Sequence, residues 1–133
     1  KEGNTILIGT SQRSSIESCK IAIANTVAST FLLAGADVKH GDGYPGWAPN
    51  PDSKILKIAQ ETYKRLFNKD AKIMAIHAGL EGGLFLEKYP KLDMISFGPT
   101  LRDVHSPNER IEIATVGLWW SHLLELLKSI PAK

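Results

Sequence analysis

The sequence predicts an α/β chain built on a parallel sheet, and three observations carry that expectation. Two short runs, Ile73–Ile76 and the largely apolar Met94–Phe97, have the pattern of strands buried on both faces. Stretches with apolar residues at helical spacing alternate with them. Glycine- and proline-rich segments punctuate the whole. Two such strands are too few for a sheet of this kind, so further strands are expected from sequence outside this chain.

The elements are expected in the following order. Thr5–Ile8 is apolar and β-prone, as a strand should be. A hydroxyl-rich start at Ser14, Ser15 and Ser18 precedes Ile16, Lys20, Ile23, Ala24, Val27 and Phe31 at helical spacing. Gly35 is a natural residue to end that helix, and Asp37–His40 reads as a second strand. Strand, helix and strand make half of a small α+β module. Residues 41–51 hold three prolines and three glycines and cannot continue either regular structure, so they are expected to cross between two domains. Asn50 at N-cap and Pro51 at N1 should open a helix with Ile55, Ile58, Ala59, Thr62 and Leu66 inward. Gly79–Glu87 should be a glycine-rich turn leading into a short helix. Thr115 should cap a last helix with Val116, Trp119, Leu123 and Leu127 inward.

Composition narrows the function classes. The 133 residues suit one domain or the tail of a larger one, and the chain begins Lys-Glu-Gly without Met, as a fragment or processed product would. With 43% hydrophobic and 23% charged residues it reads as a soluble globular protein. Sixteen basic and 14 acidic residues are spread evenly, which argues against a nucleic-acid partner. No apolar stretch approaches the ~20 residues of a membrane span, and no signal-peptide core is present. The single cysteine, Cys19, rules out an intrachain disulfide, fits a reducing compartment, and is expected to pack within its helix.

A few positions carry chemistry. His105, in Asp103-Val104-His105-Ser106-Pro107-Asn108-Glu109, follows an apolar strand, and an imidazole there can ligate a borderline metal at a cleft. Glu109 could support it from behind. One histidine makes no metal site, and a surface loop histidine is the commoner arrangement. His77-Ala78-Gly79-Leu80-Glu81-Gly82-Gly83 is a strand-to-helix turn that could hold a carboxylate, yet it lacks the endings of a P-loop or dinucleotide fingerprint. Arg13 could fork onto a carboxylate, although one arginine at a strand end is usually solvated. His40 and His122 read as structural or exposed, Asp42 as a turn-former, and Trp47, Trp119 and Trp120 as packing groups.

Three stretches taken together have a family likeness. Tyr44-Pro-Gly-Trp47 with Pro51-Asp-Ser-Lys-Ile55, Ile76-His-Ala-Gly-Leu-Glu81, and Met94-Ile-Ser-Phe-Gly-Pro99 leading to His105-Ser-Pro-Asn-Glu109 resemble the aminoacyl-histidine dipeptidases. These are also called Xaa-His or cytosol nonspecific dipeptidases, within the aminoacylase-like metallopeptidases. Order and spacing are kept from about Gln12 to the end of the chain.

The resemblance implies a zinc-exopeptidase-like catalytic domain with an inserted α+β lid. Residues 1–44 would be the end of that lid and 45–133 the carboxy-terminal part of the catalytic domain. It implies a cytoplasmic enzyme that hydrolyses Xaa-His and other dipeptides with two divalent metals, zinc first, with manganese or cobalt also fitting. A homodimer through the lid is implied as well. His105 matches a metal ligand, Gly79 a position lining the substrate site, and Arg13 a lid arginine that grips substrate. No role carries over to His77 or Glu81. Gly82 stands where many members have cysteine, a change expected to leave ligation undisturbed. The family's other metal ligands and its general base have no counterpart here. The expectation is therefore a segment inactive and poorly stable alone, needing the rest of the catalytic domain. The competing expectation is a non-catalytic binding or assembly module on a hydrolase-like scaffold. A receiver-like or nucleotide-binding domain would need a carboxylate cluster or P-loop that the sequence does not offer.

Overall fold

The computed structural model of the chain describes residues 3–75 and 82–131. Four helices and one short hairpin run in the order α1 (Glu17–Leu33), α2 (Lys54–Phe67), α3 (Gly82–Lys88), β1 (Leu101–Arg102), β2 (Arg110–Ile111) and α4 (Ile113–Ser129). They fall into two compact units, Lys1–Pro49 with Ala75–Leu92, and Asn50–Met74 with Asp93–Lys133.

In the first unit α1 starts as its hydroxyls suggest, though the bonding hydroxyl lies two residues before the cap position. Ser14 Oγ accepts from the Ile16 N–H at 3.1 Å, while the N-cap residue Ile16 contributes no side-chain bond. Gly35 ends the helix as expected. Its φ is +80°, and the Gly35 N–H to Leu32 O and Ala36 N–H to Phe31 O bonds close the left-handed end. Of the expected inward face, Lys20, Ala24, Val27 and Phe31 are partly covered, whereas Ile16 and Ile23 are exposed. Ile21, Leu32 and Leu33 are exposed too, so apolar side chains lie on several sides of α1. Cys19, expected to pack, is exposed.

The Tyr44-Pro-Gly-Trp47 loop is wedged between the starts of α1 and α3. Lys20 Nζ donates to Tyr44 O at 2.7 Å, and the Gly46 N–H donates to Glu17 Oε2 at 2.9 Å. A Cβ at Gly46 would lie 2.7 Å from Ser15 O, and one at Gly82 would lie 2.8 Å from the Trp47 ring. A Cβ at Gly83 would collide with Pro45 O. These three glycines permit main-chain approaches that no other residue allows. Glycine at position 82 thus has a packing consequence that the sequence did not reveal.

In the second unit α2 packs on α4. The start of α2 lies three residues beyond the expected cap. Asn50 Oδ1 instead accepts from the Asp52 N–H at 3.0 Å, forming a turn, and Ser53 is the N-cap, its Oγ accepting from Leu56 N–H at 3.0 Å. The hydroxyl wins because its geometry reaches the N3 amide, whereas Asn50 satisfies its own turn. Asp93, far along the chain, completes the end. Its Oδ2 accepts from the Lys54 and Ile55 N–H groups at 2.8 and 3.1 Å.

The core of this unit holds Ala59, Thr62, His122 and Leu126. Leu126, 2% exposed, takes the place expected of Leu127, which is 57% exposed; Val116, Trp119 and Leu123 face inward as expected. Tyr63 and Phe67 are half-buried where Leu66 was expected. Thr115 is no cap, because α4 begins two residues earlier. Its Oγ1 donates to Glu112 O and accepts from the Thr100 N–H, tying the hairpin to the helix.

The expected parallel sheet is absent among the described residues, where the one ladder is the antiparallel pair Leu101↔Ile111 and Arg102↔Arg110. Asp37–His40, 73–75 and Met94–Phe97 are irregular, and Thr5–Ile8 makes only an isolated bridge at Thr5. Helices satisfy their hydrogen bonds within one segment, whereas strands need neighbours. Ile6, Leu7, Ile8, Ile73 and Met74 stay exposed accordingly.

Candidate functional site

His105 sits in the loop that joins β1 to β2, and that loop is unusually determined for seven exposed residues. Asp103 and His105 both adopt left-handed backbone, with φ of +52° and +63°. For residues other than glycine this conformation costs of order 1 kcal/mol each and persists only where neighbours enforce it. The enforcing bonds are visible. Asp103 pairs with Arg110 across the base of the loop, and Arg110 Nη1 also donates to Asn108 O. Ser106 Oγ donates to Asp103 O at 2.7 Å and accepts from the Asn108 N–H at 3.2 Å. Glu109 Oε2 accepts from the His105 N–H at 3.0 Å, and the Glu109 N–H returns to Ser106 O at 3.0 Å. Glu109 therefore supports the His105 main chain. The His105 ring has no hydrogen-bond partner among the described residues and is exposed.

An exposed imidazole whose ring nitrogens have no partner among the described residues fits a metal as one donor. Among the described residues no three His, Cys, Asp or Glu side chains converge to complete a metal site. A tetrahedral or five-coordinate centre would need its other donors from elsewhere.

Arg13 lies in irregular backbone of the first unit, exposed and without a hydrogen-bond partner among the described residues. Gly79, with His77 and Glu81, falls outside the described residues. Arg13 and His105 belong to different units.

The first unit also has an open groove of about 460 Å³ lined by Glu17, Lys20, Gly43, Gly46, Leu84 and Glu87 among others. Two of its three charged groups are already paired. Glu17 pairs with Lys20 at 2.8 Å, and the hydrogen bond from Lys20, then that from the Gly46 N–H, hold the Glu17 carboxyl below its ordinary range.

Two polar side chains of the second unit carry weight that sequence reasoning missed or only half saw. The Ser53 hydroxyl, the Ile55 and Lys54 amides and the Lys54 charge hold the Asp93 carboxyl below its usual value, against partial burial. The cap joins residues 38 and 39 positions apart, so no local pattern announces it. His122 is structural, as expected. Its Nε2 lies 2.9 Å from Ala59 O and 3.1 Å from Thr62 Oγ1, and Thr62 Oγ1 donates to Ala59 O at 3.0 Å. A carbonyl only accepts, so Nε2 carries a proton. Tyr63, Phe67 and Phe97 surround the ring at 5.1–6.4 Å between centroids. The exposed Trp120 ring lies 6.2 Å from that of Trp119, whose buried Nε1 has no partner among the described residues.

Comparison with known proteins adds to this geometry. The sequence profile of peptidase family M20/M25/M40 matches residues 3–128. The chain is 49% identical over 121 residues to a cytosol non-specific dipeptidase of Escherichia coli (strain K12), covering 91% of this chain and 25% of that protein. Its fold superposes on the crystal structure of aminoacylhistidine dipeptidase from Vibrio alginolyticus with a TM-score of 0.72 and 44% identity. That match covers 90% of this chain and 24% of the other. The chain spans about a quarter of the length of these relatives.

Proposed function

The chain belongs to peptidase family M20/M25/M40, and on that footing we propose that the protein carrying it is a metal-dependent dipeptidase to whose site this segment contributes a part. The observation that carries the reading is the 49% identity to a dipeptidase across nearly the whole chain. The left-handed, multiply braced loop around His105 supports it, because such strain is characteristic of functional positions.

In this reading residues 1–44 end a lid and 45–133 belong to the catalytic domain, whose remaining strands complete a parallel sheet around 73–76 and 94–97. The enzyme is cytoplasmic and a homodimer through the lid. Substrates are Xaa-His and other dipeptides. His105 would hold one of a pair of divalent ions, zinc first, through a ring nitrogen, and such ions would supply a Lewis acid for the scissile carbonyl and a lowered pKa for a water. Arg13 presents a guanidinium fork to the substrate carboxylate as the lid closes, which orients the peptide and helps exclude water. Gly79 lines the pocket without a side chain of its own. The base that takes the proton from water comes from outside this segment.

The test is hydrolysis of an Xaa-His dipeptide, with metal content measured in parallel. The intact protein should be active, and His105→Ala should lower both its metal content and its turnover, the latter by roughly a hundredfold or more. Arg13→Ala should lower kcat more than it raises KM, because the arginine acts on closure. The isolated 133-residue chain should stay inactive with added zinc or manganese. Activity from that chain would overturn the shared-site reading, and an intact kcat in Arg13→Ala would remove the arginine from it.

A further inference from the structure

We infer that Glu109 is a positioning residue for His105 that acts through the main chain and not through the imidazole, an inference that rests on the metal-ligand reading of His105. The usual outer partner of a metal-bound histidine is a carboxylate or carbonyl on the second ring nitrogen. Here the carboxylate is spent differently. Glu109 Oε2 accepts a hydrogen bond from the His105 N–H at 3.0 Å, and the His105 ring has no partner among the described residues.

The reason lies in the backbone. At φ +63° His105 occupies a conformation that an L-residue leaves readily, and leaving it re-aims the Cα–Cβ bond. A metal ligand tolerates only about 0.5 Å of misplacement. Within the loop, the Asp103–Arg110 pair and the Ser106 bonds fix the base and the turn. The described hydrogen bond that reaches residue 105 itself comes from Glu109. Glu109 is in turn returned to the loop by its own N–H on Ser106 O at 3.0 Å. An acceptor oxygen is all this role requires, so charge at position 109 is dispensable.

The experiment uses the intact protein with Glu109→Ala and Glu109→Gln. Site-resolved amide exchange at His105 is read in the metal-free form, and zinc affinity is read by competition with a chelator. Glu109→Ala should speed His105 exchange by about fivefold, the equivalent of one ordinary hydrogen bond, without changing Tm appreciably. It should weaken zinc binding by roughly tenfold or more. Glu109→Gln should stay close to wild type in both, because the amide oxygen accepts the same proton. Unchanged exchange in Glu109→Ala overturns the main-chain role. Zinc binding weakened equally in Glu109→Gln, with exchange untouched, overturns it in favour of contact with the ring. His105→Ala separates the two layers. If it keeps the full zinc complement, the ligand reading fails and takes this inference with it. If it loses zinc while Glu109→Ala changes nothing, only the positioning role falls.

Discussion

Removing the Asp93 carboxylate should unpin the start of α2. In Asp93→Ala the Lys54 and Ile55 N–H groups lose an ionised acceptor at 2.8 and 3.1 Å, while Ser53 continues to serve Leu56. Hydrogen bonds to a charged group contribute about 1.5–3 kcal/mol each when fully withdrawn from water, and a helix-end charge adds about 0.3–1. Both amides regain water at this partly open end, so the lower part of that range applies and the expected loss is about 2 kcal/mol. Asp93→Asn keeps an acceptor and loses the charge, and should cost about half as much. The pH dependence follows from the lowered carboxyl of Asp93. Its contribution is complete above the ordinary aspartate pKa of about 3.9 and disappears as pH falls through the lower folded value. Urea denaturation followed by far-UV circular dichroism, at pH 7 and again near pH 3, measures both quantities. A difference under about 0.5 kcal/mol at pH 7 would refute the capping argument, as would a difference that does not shrink in acid.

Other substitutions test the packing. Gly46→Ala puts a methyl 2.7 Å from Ser15 O, a main-chain atom that cannot swing away, and should cost about 1–3 kcal/mol by denaturation. Gly98→Ala is the control, since nothing lies within 4 Å of its Cβ position, and should change stability by less than about 0.5 kcal/mol. His122→Ala empties a site ringed by Tyr63, Phe67 and Phe97 and takes away one of the two partners of the Thr62 hydroxyl, which keeps Ala59 O, with an expected cost of about 3 kcal/mol in the same measurement.

What the sequence disclosed divides along a physical line. Helices α1, α2 and α4 were legible because a helix writes its own hydrogen bonds and its own spacing, and Gly35 marked an end by a conformation few residues share. Their caps were less legible. Ser53 displaced Asn50, and Thr115 went to the Thr100 amide, because several short polar side chains compete within one turn. Apolar runs such as Thr5–Ile8 announced strands, but a ladder exists only where a second strand is supplied. Asp93 and His122 lay beyond local reasoning, since each meets its partners across 38 or more positions. His105 was singled out by its motif. Its left-handed backbone, and the use of Glu109 to hold it, emerge only in the folded chain.

The close approach of the Trp47 ring to Gly82 offers an optical handle. The chain has three indoles, Trp47 in the first unit and Trp119 with Trp120 in the second. With both helix indoles exchanged for phenylalanine, emission would come from Trp47 alone and would redden as solvent enters the Gly82 contact. The complementary exchange at Trp47 would make the remaining pair report on α4. Each compact half of the chain thus carries its own fluorophore, and whether the halves melt in one step or two becomes a question for a spectrometer.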